Sequence, residues 1–191
     1  MSTMTILLIV LAGIAVYIVF TYNNLIRLIE AVRNNQKQID IQLDRRFKVF
    51  ESLINVVKNY MDYEKTTLSQ VTELRAKAQA AHAQGDEKSR IGFEDKISRI
   101  SGGLNFVFEQ YPDLKANQNA LQLQEEIVNT ENKLTFAKQA TNDSIETYNA
   151  TKKSVFPALV VAVFRNLDVP FEYWQLSEEV IADQEKYTVK L

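Results

Sequence analysis

Between Thr5 and Gln84 the chain has one glycine, Gly13, and no proline. A stretch so poor in breakers leaves few options, because turns and strand ends draw on those two residue types. It begins apolar, from Ile6 to Phe20. It then places Leu25, Ile29, Val32, Ile39, Leu43, Phe50, Leu53, Val57, Tyr60, Val71, Leu74 and Ala78 in one phase, with polar Gln36, Arg46, Glu64 and Thr67 in the remaining slots. Steps of three and four put such residues on one stripe of an α-helix, whereas a strand would need alternation at period two. The pattern predicts a helix of about 80 residues, about 120 Å long at 1.5 Å per residue, with a bend near Asn59–Tyr63, or a fold back there into four antiparallel helices, as the variant readings.

The start of this helix suits lipid. Residues Met1 to Ile26 carry no charged side chain, and Arg27 is the first. A spanning helix needs about 20 predominantly apolar residues, which Ile6–Phe20 provides with help from Met1–Thr5 and Thr21–Leu25. A cleaved signal peptide would want a basic stretch ahead of the apolar run and a small-residue cleavage site after it. No Lys or Arg precedes the run, and Val16–Phe20 follows its only small-residue cluster. The segment therefore reads as a retained span, with Tyr17 and Tyr22 suited to an interface. Arg27, Arg33 and Lys37 follow it. By the positive-inside rule the amino terminus lies outside and the bulk of the chain in the cytoplasm.

Past the span, Gln84-Gly85-Asp86 is the first clear stop, with Gly85 suited to end one helix and Asp86 to cap the next. A second helix is expected over Glu87–Gln110, with Ile91, Ile97, Ile100, Leu104, Val107 and Phe108 as its stripe. Gly102-Gly103 inside it costs about 1 kcal/mol per glycine relative to alanine, which close helix packing or a hinge would explain. Pro112 fits the first position of a further helix running to Lys153. Its apolar stripe is thin and interleaved with Gln124, Thr130, Thr141 and Asn142; such a seam packs less tightly or hydrogen-bonds across to a neighbour. Pro157 is expected to stop it, ahead of the apolar run Ala158–Phe164 and the aromatic residues Phe171, Tyr173 and Trp174.

The fold class is all-α: one N-terminal transmembrane helix, then an elongated antiparallel bundle of four-helix type. The segments are 1–22 for the short N-terminus and span, 23–153 for the cytoplasmic bundle, and 154–191 for a short helix and tail.

The sequence offers little for catalysis. It has no phosphate loop, no HExxH and no EF-hand pattern, and no cysteine for disulfides or thiolate metal sites. The sole histidine, His82, reads as a solvated residue in an Ala-rich tip, and two Glu-x-x-His pairs for a di-iron bundle are missing. With a formal charge of −2, no global positive field recommends nucleic acid. The expectation is no cofactor, no metal, no small-molecule substrate and no enzyme. The densest polar cluster is Ile39–Arg46. Asp40 and Asp44 share a helical face, Asp44 stands four residues before Lys48, and Arg46 falls in the apolar stripe. A buried charge there needs a partner. Asp40, Asp44, Arg45 and Arg46 are thus candidates for an interhelical ion-pair site, with a solvated face or a partner contact as the other readings.

Several blocks occur together in order: Tyr22-Asn-Asn-Leu25, Ile39-Asp-Ile-Gln-Leu-Asp-Arg-Arg46, Val57-Lys-Asn-Tyr60, Glu109-Gln-Tyr-Pro-Asp-Leu-Lys-Ala-Asn117, Tyr148-Asn149 and Phe156-Pro157. In this the chain resembles the LemA family, from the span to about Phe164. It departs at Glu51, where the family often has proline, at Phe47 and Tyr63, where histidine is common, and at Gln36, where tryptophan is common. The resemblance implies a bacterial inner-membrane protein with a short outer N-terminus, one span and a cytoplasmic four-helix-type bundle. It carries over no catalytic residues, and one magnetosome-associated branch fits a role in membrane organisation. The functional expectation is a membrane-anchored scaffold or assembly protein whose partners are the lipid bilayer and itself or another membrane protein. The alternative is a subunit of a membrane-associated enzyme or signalling complex. Phe156, Phe164, Phe171 and Trp174 are candidates for membrane-interface contact, against the plainer reading that they cap the bundle core.

Overall fold

The computed structural model describes residues 2–57, 64–110 and 117–175, the side chains of 57–68 and 102–116 excepted. Its elements are α1 (Thr3–Val57), α2 (Glu64–Ala83), α3 (Glu87–Gln110), α4 (Gln118–Lys153), α5 (Val155–Val163) and a 3-10 turn at Arg165–Leu167. The fold is all-α, with a long apolar N-terminal helix and helical-bundle packing, and no strand occurs among the described residues. The chain forms two compact units, Met1–Gln38 with Ala137–Tyr173, and Ile39–Phe136 with Trp174–Leu191.

In the second unit, the expected single rod from Thr5 to Gln84 gives way to two helices of opposite direction. Arg75 of α2 reaches Asp44 of α1, and Val71 packs with Phe50 and Ile54. Residues 31 apart along one rod would never touch. The sequence phase survives the reversal because both helices turn their stripes to the same core. The proposed bend at Asn59–Tyr63 falls outside the described residues. Helix α3 runs parallel to α1, as Asp40 meets Arg90 and Arg46 meets Glu94. Helix α4 runs antiparallel to it, with Val49 and Leu53 against Ala120 and Ile127.

The α2–α3 turn follows from two adjacent residues. Gly85 adopts φ +75°, a left-handed conformation that costs a side chain dearly. Its amide reaches the His82 carbonyl at 3.0 Å, and the Asp86 amide reaches that of Ala81 at 2.9 Å. This double closure satisfies the last carbonyls of α2. The Asp86 carboxylate then accepts from the Ser89 amide at 3.0 Å and caps α3. Ser89 also holds the Asp86 carboxyl below its ordinary pKa range, through its hydroxyl first and its amide second. Helix α3 continues through Gly102 and Gly103.

The described part of helix α4 begins at Gln118. Pro112 itself lies outside the described residues. Asn117 is not helical, and its side chain accepts from the amides of Asn119 at 3.0 Å and Ala120 at 3.3 Å. Pro157 does not end α4. The break is Ser154, in extended backbone, and Pro157 sits in the first turn of α5, where a helix needs no amide donor.

In the first unit, Leu25, Ile29 and Val32 of α1 pack on Ile145 and Tyr148 of α4, with Val160 and Leu167 closing the cluster. The polar seam of α4 is closed by a local bond at Thr141, whereas the buried Thr130 hydroxyl has no hydrogen-bond partner among the described residues. Thr141 is buried and returns its hydroxyl to the Ala137 carbonyl at 2.8 Å. The crossing bonds come from α1, where Asn35 donates to Ser144 at 2.7 Å and to the Ala140 carbonyl at 3.1 Å.

Candidate functional site

The second unit holds a charged layer between α1, α2 and α3. Arg46 projects from the apolar stripe of α1, as its phase requires, and only 2% of its side chain is open to solvent. It pairs with Glu94 of α3 and donates to Ser98 at 2.7 Å. A longer contact of 3.5 Å reaches Glu131 of α4. A guanidinium this deep is tolerable only with its donors occupied. Arg45, one residue away and therefore about 100° round the helix, pairs instead with Glu126 on α4 at a half-exposed position.

Asp40 and Asp44 serve two further helices. Asp40 takes Arg90 of α3, whose guanidinium lies over the Trp174 ring at 5.6 Å. Asp44 takes Lys48 at 2.7 Å and Arg75 of α2 at 3.0 Å. Those two cations, Lys48 foremost, hold the Asp44 carboxyl below its ordinary range. Arg75 also stacks on Phe47 at 3.7 Å, and its Nη1 is buried with no hydrogen-bond partner among the described residues. His82 places Nδ1 2.5 Å from Glu87 and 2.9 Å from Arg90. A cavity of about 310 Å³ lies among these groups. Each arginine in it faces a carboxylate on another helix, an arrangement that fixes the register of the helices.

Asp40, Asp44 and Arg46 thus belong to one layer, and Arg45 points elsewhere. Their partners were not singled out in the sequence, although the signal was present. Arg90 and Glu94 stand four apart and share the stripe of Ile91 and Ile97, all four buried; a charge in an apolar stripe is the mark that had drawn attention to Arg46.

The first unit holds an apolar surface. Along α1, Met4, Ile6–Leu11, Ile14, Val16, Val19 and Phe20 are more than half exposed. This helix is long and apolar enough to cross a membrane, and no part of its most apolar window is buried within the protein. Helix α5 lies beside it. Phe156 meets the Tyr17 ring edge-on at 6.1 Å, and Phe164 meets Tyr22 at 5.2 Å. A groove of about 690 Å³ runs between Val10–Ile18 and Phe156–Phe164. The four aromatic candidates divide. Phe156 is 65% exposed and Phe164 37%. Phe171 packs edge-on against buried Tyr148 at 5.4 Å. Trp174 is buried and belongs to the second unit, against Arg90.

Fold and sites together define a class: an all-α protein whose leading helix carries an exposed apolar stretch and then enters a bundle cross-linked by buried charge. The LemA family model matches residues 35–190, and the chain belongs to the LemA family. It is similar to Protein LemA of Metamycoplasma hominis, with 35% identity over 105 residues, 55% of this chain and 47% of that protein. The chain therefore spans about half the length of that relative.

Proposed function

We propose that the protein is a single-pass, membrane-anchored helical scaffold or assembly factor of the bacterial inner membrane, with its bundle in the cytoplasm and no catalytic step of its own. One observation carries this reading: the first unit presents along α1 an exposed stretch that is long and apolar enough to cross a membrane. Such an anchor suits a protein that holds others at the membrane surface. Arg27, Arg33 and Lys37 directly after the apolar stretch favour a cytoplasmic bundle. The charged layer supports a structural role, since its cations are matched to carboxylates across the helices.

A reporter active only in the cytoplasm, fused after Leu191, tests the orientation: signal is expected, and activity from an exported reporter alone overturns it. Crosslinking in native membranes tests the scaffold role. Covalent adducts with itself or with other membrane proteins are expected; recovery as uncrosslinked monomer alone overturns it.

A further inference from the structure

Helix α5 is nine residues long, and from Ser154 to Phe164 the chain carries no charge. Val155, Leu159 and Val163 recur every four residues on one face and are 76%, 65% and 74% exposed, with Phe156 beside them at 65%. The opposite side is anchored: Val160 is buried in the cluster of Leu25 and Tyr148. Monomeric soluble surfaces rarely leave so dense an apolar patch uncovered. This patch is continuous, through the Tyr17–Phe156 and Tyr22–Phe164 contacts, with the exposed apolar surface of α1.

Part of the backbone around α5 is satisfied internally. In lipid every amide and carbonyl needs an internal partner. Pro157 removes one first-turn donor, the Ala158 amide reaches Ser154 at 2.9 Å, and the Phe164 amide reaches Val160 at 2.9 Å. On the way back, Leu167 and Asp168 close a 3-10 turn, and Asn166 donates to the Tyr22 hydroxyl at 3.0 Å. The Tyr148 hydroxyl donates to the Leu167 carbonyl at 2.5 Å and accepts from the Val169 amide at 2.9 Å. Lys153 and Arg165, at the two ends of the uncharged run, are both exposed.

We propose that α5 belongs to a re-entrant membrane element: it lies in the same leaflet as Val10–Tyr22 of α1 and buries Val155, Phe156, Leu159 and Val163 among acyl chains. It sets Arg165, on the Tyr22 side, at the level of anionic headgroup phosphates, and leaves Lys153, on the deeper Tyr17 side, to reach toward them along its stem. This rests on the reading of α1 as a membrane span. Long cations at the ends of an apolar segment reach the interface in this way. The protein then holds the bilayer by two elements, with Tyr148 and Tyr22 clamping the return strand of the second.

The chain has no cysteine, so single-cysteine variants of the full chain take a nitroxide label without other changes. Leu159→Cys, Val16→Cys and Lys88→Cys all alter exposed positions, and the core is left intact. The proteins are reconstituted into vesicles of phosphatidylcholine with phosphatidylglycerol, and spin relaxation by oxygen and by a water-soluble nickel chelate is measured. The Leu159 label is expected to behave like the Val16 label, losing contact with the chelate while keeping contact with oxygen, and the Lys88 label is expected to meet the chelate. A Leu159 label that meets the chelate while the Val16 label does not overturns the re-entrant helix and leaves the span standing. A Leu159 label shielded from both reagents means that protein covers α5, and overturns it too. A Val16 label in water overturns the span and the inference together. In the Lys153→Gln/Arg165→Gln background the Leu159 label is expected to lose its dependence on phosphatidylglycerol; a depth unaffected by both lipid and variant overturns the headgroup contacts.

Discussion

Arg46 of α1 and Glu94 of α3 form an ion pair in which 2% of one side chain and 9% of the other remain open to solvent. Desolvating two charges is costly, and a buried pair is seldom better than a well-packed apolar pair of the same volume. Breaking one side of it is another matter. Arg46→Met takes the cation away from a buried carboxylate and is expected to destabilise the bundle by about 3–5 kcal/mol. Adding Glu94→Leu should recover most of that loss. Chemical denaturation of the three proteins checks both steps, and a single variant as stable as the parent would show that the pair is not desolvated.

At the α2–α3 turn, the positive φ of Gly85 is the exposed feature. A Cβ there meets nothing within 4 Å, so space is not the obstacle. Gly85→Ala is therefore expected to lose about 1 kcal/mol from the left-handed conformation alone. A melting temperature unchanged in the variant would argue against this conformation.

Tyr148 tests the return segment of the first unit. Its hydroxyl is the partner of both the Leu167 carbonyl and the Val169 amide, and the side chain is fully buried. Tyr148→Phe keeps the ring and its edge contact with Phe171 while orphaning two backbone groups. A loss of about 1–3 kcal/mol follows, with faster hydrogen exchange at the Val169 amide as the local readout.

The Asp44 carboxyl gives the bundle a defined response to acid. Lys48 and then Arg75 depress its pKa in the folded state. A group depressed on folding contributes fully above its ordinary pKa, about 4 for a carboxylate, and that contribution vanishes as pH falls through the folded-state value. Because Asp44 is about half exposed, the effect is modest. Urea midpoints of the parent and Asp44→Asn should differ at neutral pH and converge below about pH 4; a gap that widens on acidification would contradict the pairing.

Lys152 behaves in the opposite sense. Burial disfavours its charged form, but the Asp168 hydrogen bond and the Tyr148 contacts outweigh this and raise its pKa. Its contribution is complete below the ordinary lysine value and fades as pH rises through the folded-state value. Lys152→Met should lower the melting temperature at neutral pH, with the deficit narrowing in strong alkali.

The local part of this fold was legible in the sequence because it depends on near neighbours. Charge-free residues up to Ile26 mark the apolar helix, the three-and-four spacing marks the stripes, and Gly85-Asp86 contains its own turn chemistry. Arg46 stood out as a charge in an apolar phase for the same reason. What the tertiary structure decided is everything that phase leaves open. A stripe does not say whether its helix continues or doubles back, so the reversal that sets Arg75 beside Asp44 appears only once both stripes share a core. Nor does it name the partners of Arg46, since Glu94 and Glu131 come from helices about 50 and 85 residues further on. Pro157 carried the same ambiguity: proline at a helix end and proline in a first turn look alike until Ser154 is seen to break the chain. The placement of α5 against Tyr17 and Tyr22 rests on the long-range burial of Val160, Leu167 and Tyr148, a packing solution that no local rule contains.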